Sequence, residues 1–175
     1  MCVVLTAKLA LRPHIKPLLN GLILLATHSS LVEGGRKLAQ VPTWIIEIFR
    51  AIDRYGGINS KSVRRMVHSD ASDHLKERQL GLAASNKMST IKPLVLGMNW
   101  MEEAEWRQLA VPFMLIHGDS DTVTPAAGVT SLREWCRNFL VGAHIIPGAG
   151  HTVMLEKSHE VNKLIEEFLD KQHLL

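Results

Sequence analysis

Three short, mainly apolar runs stand out along the chain, separated by longer stretches with helical spacing. Gly21 to Ala26 reads Gly-Leu-Ile-Leu-Leu-Ala, Phe113 to Ile116 reads Phe-Met-Leu-Ile, and Ala143 to Ile146 reads Ala-His-Ile-Ile. Short runs with little alternation predict strands of a buried parallel sheet. Residues 33–110 hold no strand pattern. Across Leu38–Tyr55 the apolar positions Val41, Ile45, Ile48, Phe49 and Ile52 recur at helical spacing, and Gly56-Gly57 stops the helix. Pro42 fits only a first turn, so the regular part begins there. Asn59 or Ser60 could cap a helix running to about His68. Ser69 to Asp73 could open another, running to Ala84, and Leu94 to Arg107 is helical in pieces. Residues 2–12 predict a buried helix that Pro13 ends. Thr124-Pro125 supplies an N-cap and a first helical residue, ahead of an apolar face of Val129, Leu132, Trp135, Cys136 and Phe139. Ser158 is expected to cap the final helix, which buries Val161, Leu164, Ile165, Phe168 and Leu169. The fold class is therefore α/β, with about three parallel strands, packed helices and a helical insert.

Composition narrows the function. A chain of 175 residues with 46% hydrophobic and 21% charged residues can build one ordinary globular core. A net charge of +3, scattered basic residues and 5% aromatics give no charged stripe with stacking side chains, so nucleic acid is not an expected partner. Lys61, Arg64 and Arg65 are the densest basic cluster. Cys2 and Cys136 cannot build a disulfide framework. The nine histidines include no metal-ligand spacing, so no dedicated metal site is expected. No apolar run approaches the ~20 residues of a transmembrane helix. Lys8, Arg12 and Lys16 precede apolar Leu18–Ala26 in the order of a signal peptide, but Asn20-Gly21 breaks the run and residues 2–11 are themselves mostly apolar. A cytoplasmic location is favoured on that ground, and the compartment is otherwise open.

The chemistry collects at the ends of the second and third apolar runs. The second leads into His117-Gly118-Asp119-Ser120-Asp121-Thr122-Val123-Thr124-Pro125. The third leads into Pro147-Gly148-Ala149-Gly150-His151. A rigid strand that delivers one ionisable side chain into the following loop is how a parallel sheet builds a site. An acid and an imidazole delivered this way can form the back half of a catalytic triad. Histidine suits a general base because its ordinary pKa lies near neutrality. Taken alone, Asp119 and Asp121 could be turn residues and His151 a surface histidine. His28, His117 and His144 read as structural.

These two loops resemble the C-terminal part of the α/β-hydrolase superfamily of the serine-hydrolase type. There the acid sits in His-Gly-x-x-Asp-x-Val-x-Pro and the histidine in Gly-x-Gly-His, acid before histidine, as here. The resemblance implies that Asp121 is the site acid and His151 the base, with Asp119 a turn residue beside them. It also implies a partial α/β-hydrolase fold, with residues 1–32 and 108–175 as core and 33–107 as a helical cap or lid, and no cofactor, because triad hydrolases need none. The family's nucleophile sits on a Gly-x-Ser-x-Gly turn, ahead of a helix that ends near Arg-x-Pro and a Leu-Ile-Leu-Leu strand. Ala10-Leu11-Arg12-Pro13 and Leu22-Ile23-Leu24-Leu25 resemble those two features, but no Gly-x-Ser-x-Gly occurs in the chain. On this reading Met1 falls just past the elbow. Cys2 lacks a preceding strand, and Ser29 and Ser30 lack a strained turn, so none is expected to be the nucleophile. Ser158 stands where the family usually has proline.

Three outcomes are expected to compete. The chain is the C-terminal part of an ester or acyl hydrolase, inactive alone, with a small-molecule acyl substrate when completed. Alternatively it is a non-catalytic truncated isoform or binding module that self-associates through the exposed edge of the Leu22–Leu25 strand. Or it is an unrelated α/β binding protein, in which Asp121 and His151 lie far apart.

Overall fold

A computed structural model of the chain describes residues 7–29, 40–52, 63–97 and 100–172. Three strands, β1 (Leu22–Leu25), β2 (Phe113–Gly118) and β3 (Leu140–Ile146), form a parallel sheet in the order β1-β2-β3. Leu22 pairs with Phe113 and Leu25 with Ile116, while Ile116 also faces His144 across the other side. All six residues of β2 are buried, as its uninterrupted apolar run predicts for the middle of a parallel sheet.

The two faces of β2 feed two cores. Phe113 and Leu115 point into one with Leu22, Leu24, Trp106, Leu109 and Leu132. Met114 and Ile116 point into the other with Ile146, Val153, Val161 and Phe168. Side chains alternate across a strand, so helices must cover both faces. Each fully buried Leu, Val or Phe contributes roughly 1.5–3 kcal/mol relative to exposure. The helices are α1 (Thr43–Ile52), α2 (Asp73–Ser85), α3 (Met88–Leu96), α4 (Glu103–Arg107), α5 (Ala127–Trp135), α6 (Val153–Glu156) and α7 (Ser158–Lys171). Residues 7–10 are also helical, with Ala7 and Ala10 buried, and so are residues 63–66.

Local rules explain most boundaries. Pro42 lies just ahead of α1, and its carbonyl accepts from the N–H groups of Ile45 and Ile46. Ser72 caps α2, its hydroxyl accepting from Leu75 N–H at 3.3 Å. Other expectations shift. A full helix, α3, begins at Met88 and carries Pro93 inside it, so the helical pieces do not start at Leu94. α5 begins at Ala127, leaving Thr124 and Pro125 outside it. Phe139 lies past the end of α5 and is 39% exposed, so it is not part of that helix's buried face. Ser158 is the first residue of α7 and makes no capping bond; Lys157 occupies the cap position. On α7 Val161 and Phe168 are buried, and Leu164, Ile165 and Leu169 are partly so. The expected roles of Cys2, Ser30, Gly56-Gly57, Asn59 and Ser60 lie outside the described residues, as does Lys61 of the basic cluster. No helix among the described residues is long and apolar enough to cross a membrane.

Candidate active site

β2 and β3 end side by side, and the loops after them meet. Asp121 is on the first loop and His151 on the second. His151 Nδ1 lies 2.9 Å from Asp121 Oδ2. The carboxylate is fully shielded from solvent, whereas the imidazole keeps 26% of its side chain exposed. Nδ1 faces an anionic oxygen, so it carries the proton. That leaves Nε2 as the basic nitrogen, and among the described residues no hydrogen bond occupies it. The far-apart arrangement expected of an unrelated binding protein is therefore not found.

The buried charge is fully bonded. Val123 N–H and Thr124 N–H both donate to Asp121 Oδ1 at 2.8 Å. The Thr124 hydroxyl donates to Oδ2 at 2.6 Å. Burial by itself would raise the Asp121 carboxyl, but the bonds from His151 and from the Thr124 hydroxyl and amide outweigh it and hold the acid below its ordinary range. Asp121 is thus ionised when it faces the imidazole. The loops are braced around it. Asp119 Oδ1 accepts from Ser120 Oγ at 2.8 Å and from Gly148 N–H at 3.0 Å, joining the acid loop to the histidine loop. Gly148 has φ +63°, the left-handed region that favours glycine.

Known proteins carry similar chains. No protein-family model matches it. An abhydrolase domain-containing protein of Schizosaccharomyces pombe is 25% identical over 138 residues, which is 77% of this chain and 37% of that protein. Epoxide hydrolase 3 of Xenopus tropicalis is 33% identical over 69 residues, 39% of this chain and 18% of that protein. Among solved structures, an α/β-hydrolase enzyme from a Medee basin deep-sea metagenome library superposes with a TM-score of 0.72 at 14% identity, over 95% of this chain and 61% of that one. The chain has the α/β-hydrolase fold.

The chain spans less than two thirds of the length of the relatives it matches. Its three parallel strands, flanked by helices, are a partial form of that fold.

One residue at the pair was given another role by local sequence rules, and a second, His117, read as structural, proves to brace the acid loop. Thr124, expected as a helix cap, instead serves the site. Besides bonding Asp121, its hydroxyl oxygen lies 3.1 Å from His151 Nδ1, so the imidazole proton is shared between carboxylate and hydroxyl. Ala26 carbonyl lies 3.1 Å from the same hydroxyl, and Ala26 has a left-handed backbone at φ 46°. A non-glycine residue held there stores roughly 1–2 kcal/mol of strain. His117 is wholly buried and donates from Nε2 to the Thr124 carbonyl at 2.6 Å. Burial pushes this imidazole below its ordinary value, against the pull of Thr124 and Asp121, so it is neutral. It braces the acid loop from beneath, with Nε2 3.5 Å from Asp121 Oδ2. The available signal for both was their place inside the His-Gly-x-x-Asp-x-Val-x-Pro stretch. Ser29 is buried at the site-facing end of β1. Cys136 is buried on the opposite core with its thiol pushed up to about 11 by desolvation. Among the described residues no cluster of His, Cys, Asp and Glu could hold a metal ion.

Proposed function

We propose that Asp121 and His151 are the acid and base of a hydrolytic triad acting on an ester or other acyl compound. The observation that carries this reading is the 2.9 Å contact between a buried, ionised carboxylate and a partly exposed imidazole. Asp121 fixes the Nδ1–H tautomer and stabilises the imidazolium that forms when Nε2 takes a proton. A nucleophile deprotonated in this way attacks the substrate carbonyl and forms an acyl-enzyme, which water activated by the same histidine then hydrolyses. Residues 33–107 act as a cap over the core segments 1–32 and 108–175. The similarity to a protein named epoxide hydrolase favours one further substrate class, an epoxide opened by a carboxylate nucleophile.

The 175 residues contain no Gly-x-Ser-x-Gly turn. We therefore propose negligible triad-dependent turnover for this chain alone. Labelling with a serine-directed fluorophosphonate tests the proposal: no stoichiometric label is expected, and robust labelling at one serine would refute it. The supporting pair is tested separately by titrating the His151 ring with Asp121 intact and replaced by Asn.

The outer edge of β1 has no strand partner among the described residues. We propose that this edge pairs with a second copy of the chain, as bare sheet edges do. Sedimentation velocity should show association that grows with protein concentration. A single monomer boundary throughout the range would count against it.

A further inference from the structure

A segment of the helical insert, residues 65–68, is wedged between the two site loops. On the acid side, the Thr122 hydroxyl donates to the Arg65 carbonyl at 3.3 Å. On the histidine side, Thr152 N–H donates to the Met66 carbonyl at 3.0 Å. Gly150 lies so close that a Cβ there would stand 2.9 Å from His68 N and 2.9 Å from Val67 C.

Glu156 ties these parts together. Its carboxylate accepts from His68 N–H at 2.7 Å, from Gly150 N–H at 3.1 Å and from the Thr152 hydroxyl at 3.0 Å. The residues before and after His151 are thus both bonded to one carboxylate, and that carboxylate is bonded to the insert. Charge-assisted bonds of this kind are about twice as strong as neutral ones. The His151 backbone can hardly rotate without breaking at least one of them.

We propose that Glu156 is a positioning residue for His151 and that docking of residues 65–68 acts through it, aligning the imidazole with Asp121. The proposal rests on the reading of Asp121 and His151 as the acid–base pair. It makes the insert part of the machinery that orients the base, and not only a cover over the sheet. Glu156 touches neither ring nitrogen of His151, so its influence runs through the loop backbone.

The test is NMR of the full chain with ¹⁵N-labelled histidine, His151 being assigned by the signals lost in His151→Gln. In the unaltered protein the ring should be locked as the Nδ1–H tautomer. Glu156→Ala should lose that lock, giving averaged signals from both tautomers while a cooperative thermal transition is kept. Glu156→Gln retains one acceptor oxygen and should keep part of it. Gly150→Ala leaves Glu156 in place but forces the segment off the loop, and should release the ring as well. Unmoved His151 signals in folded Glu156→Ala, or in Glu156→Gln and Gly150→Ala if the first variant does not fold, would overturn the proposal. Asp121→Asn separates the two readings. If it fails to move the His151 signals, the acid–base pair itself falls. If it moves them while the Glu156 and Gly150 variants do not, only the positioning role falls.

Discussion

Gly118 closes β2 directly beneath the histidine loop, and replacing it with alanine tests how tightly the two site loops are locked. A Cβ at this position would stand 2.3 Å from the carbonyl oxygens of both Ala149 and Gly150, whereas real Cβ atoms essentially never approach closer than 3.0 Å. Both oxygens must therefore retreat by about 0.7 Å, from 2.3 to 3.0 Å. They are backbone atoms, so no side chain can swing aside. Ala149 carbonyl is also committed to Ser120 N–H at 3.0 Å, and that bond has to stretch with it. Overpacking of this kind costs typically about 1–3 kcal/mol. For a chain of this size, a loss of about 2 kcal/mol lowers the melting temperature by roughly 4–8 °C. The control is Gly81→Ala in the middle of α2, where an added Cβ meets nothing within 4 Å. That change should stabilise by roughly 0.5–1 kcal/mol, because glycine is a poor interior helix residue. Urea unfolding of both variants at pH 7 is the assay. The reasoning is refuted if Gly118→Ala loses less than about 0.5 kcal/mol, well under the overpacking range, or if both variants shift in the same direction.

Two further outcomes follow from the buried ionisable groups. His117 is held below its ordinary 6.5, so under acid conditions the unfolded chain binds a proton before the folded chain does. Stability should fall as pH drops below 6.5 toward the lower folded value, by up to about 1.4 kcal/mol per pH unit. Asp121, held below its ordinary 3.8, loses its own contribution only as pH falls through that still lower range. His117→Asn keeps a donor for the Thr124 carbonyl but cannot titrate. Urea midpoints across pH 4.5 to 7 should flatten in this variant, and an unchanged slope would rule out the assignment. Cys136, buried with a thiol raised to about 11, should resist alkylation by iodoacetamide at pH 8 in the folded chain and react on unfolding. Prompt native-state alkylation at Cys136, mapped by mass spectrometry, would contradict the packing described for it.

The sheet was legible in the sequence because a strand buried on both faces leaves an apolar run with few interpretations. Asp121 and His151 were legible as a pair because each follows such a run and because their two loops resemble the α/β-hydrolase pattern, which singles out Asp121 over Asp119. The helix capped by Ser72 was legible from the polar stretch Ser69 to Asp73, which offered a start without naming the cap. What was missed depends on distant partners. Thr124 followed by proline has the local form of a helix start, yet its hydroxyl is engaged by groups 27 and 98 positions away in the chain. α6 is four residues long, too short for any periodicity, and Glu156 at its end is recognisable only from the bonds it receives. Pro93 reads as a helix breaker but sits inside α3. On α1 the apolar spacing predicts a helix correctly, but periodicity does not say what covers a face: Trp44 is 66% and Phe49 58% exposed.

The order of the strands sets how the sheet can assemble. Joining β2 to β3 closes the connection from residue 119 to 139, whereas joining β1 to β2 closes the one from 26 to 112, roughly four times as long. The longer closure adds about 1.2 kcal/mol of chain entropy to the folding barrier. Among the described strands the β2–β3 pair is therefore expected to form first and β1 to dock last, leaving the apolar flank of β2 bare in the partly folded chain. Slow refolding with transient exposure of that flank is the kinetic signature this topology writes into the protein.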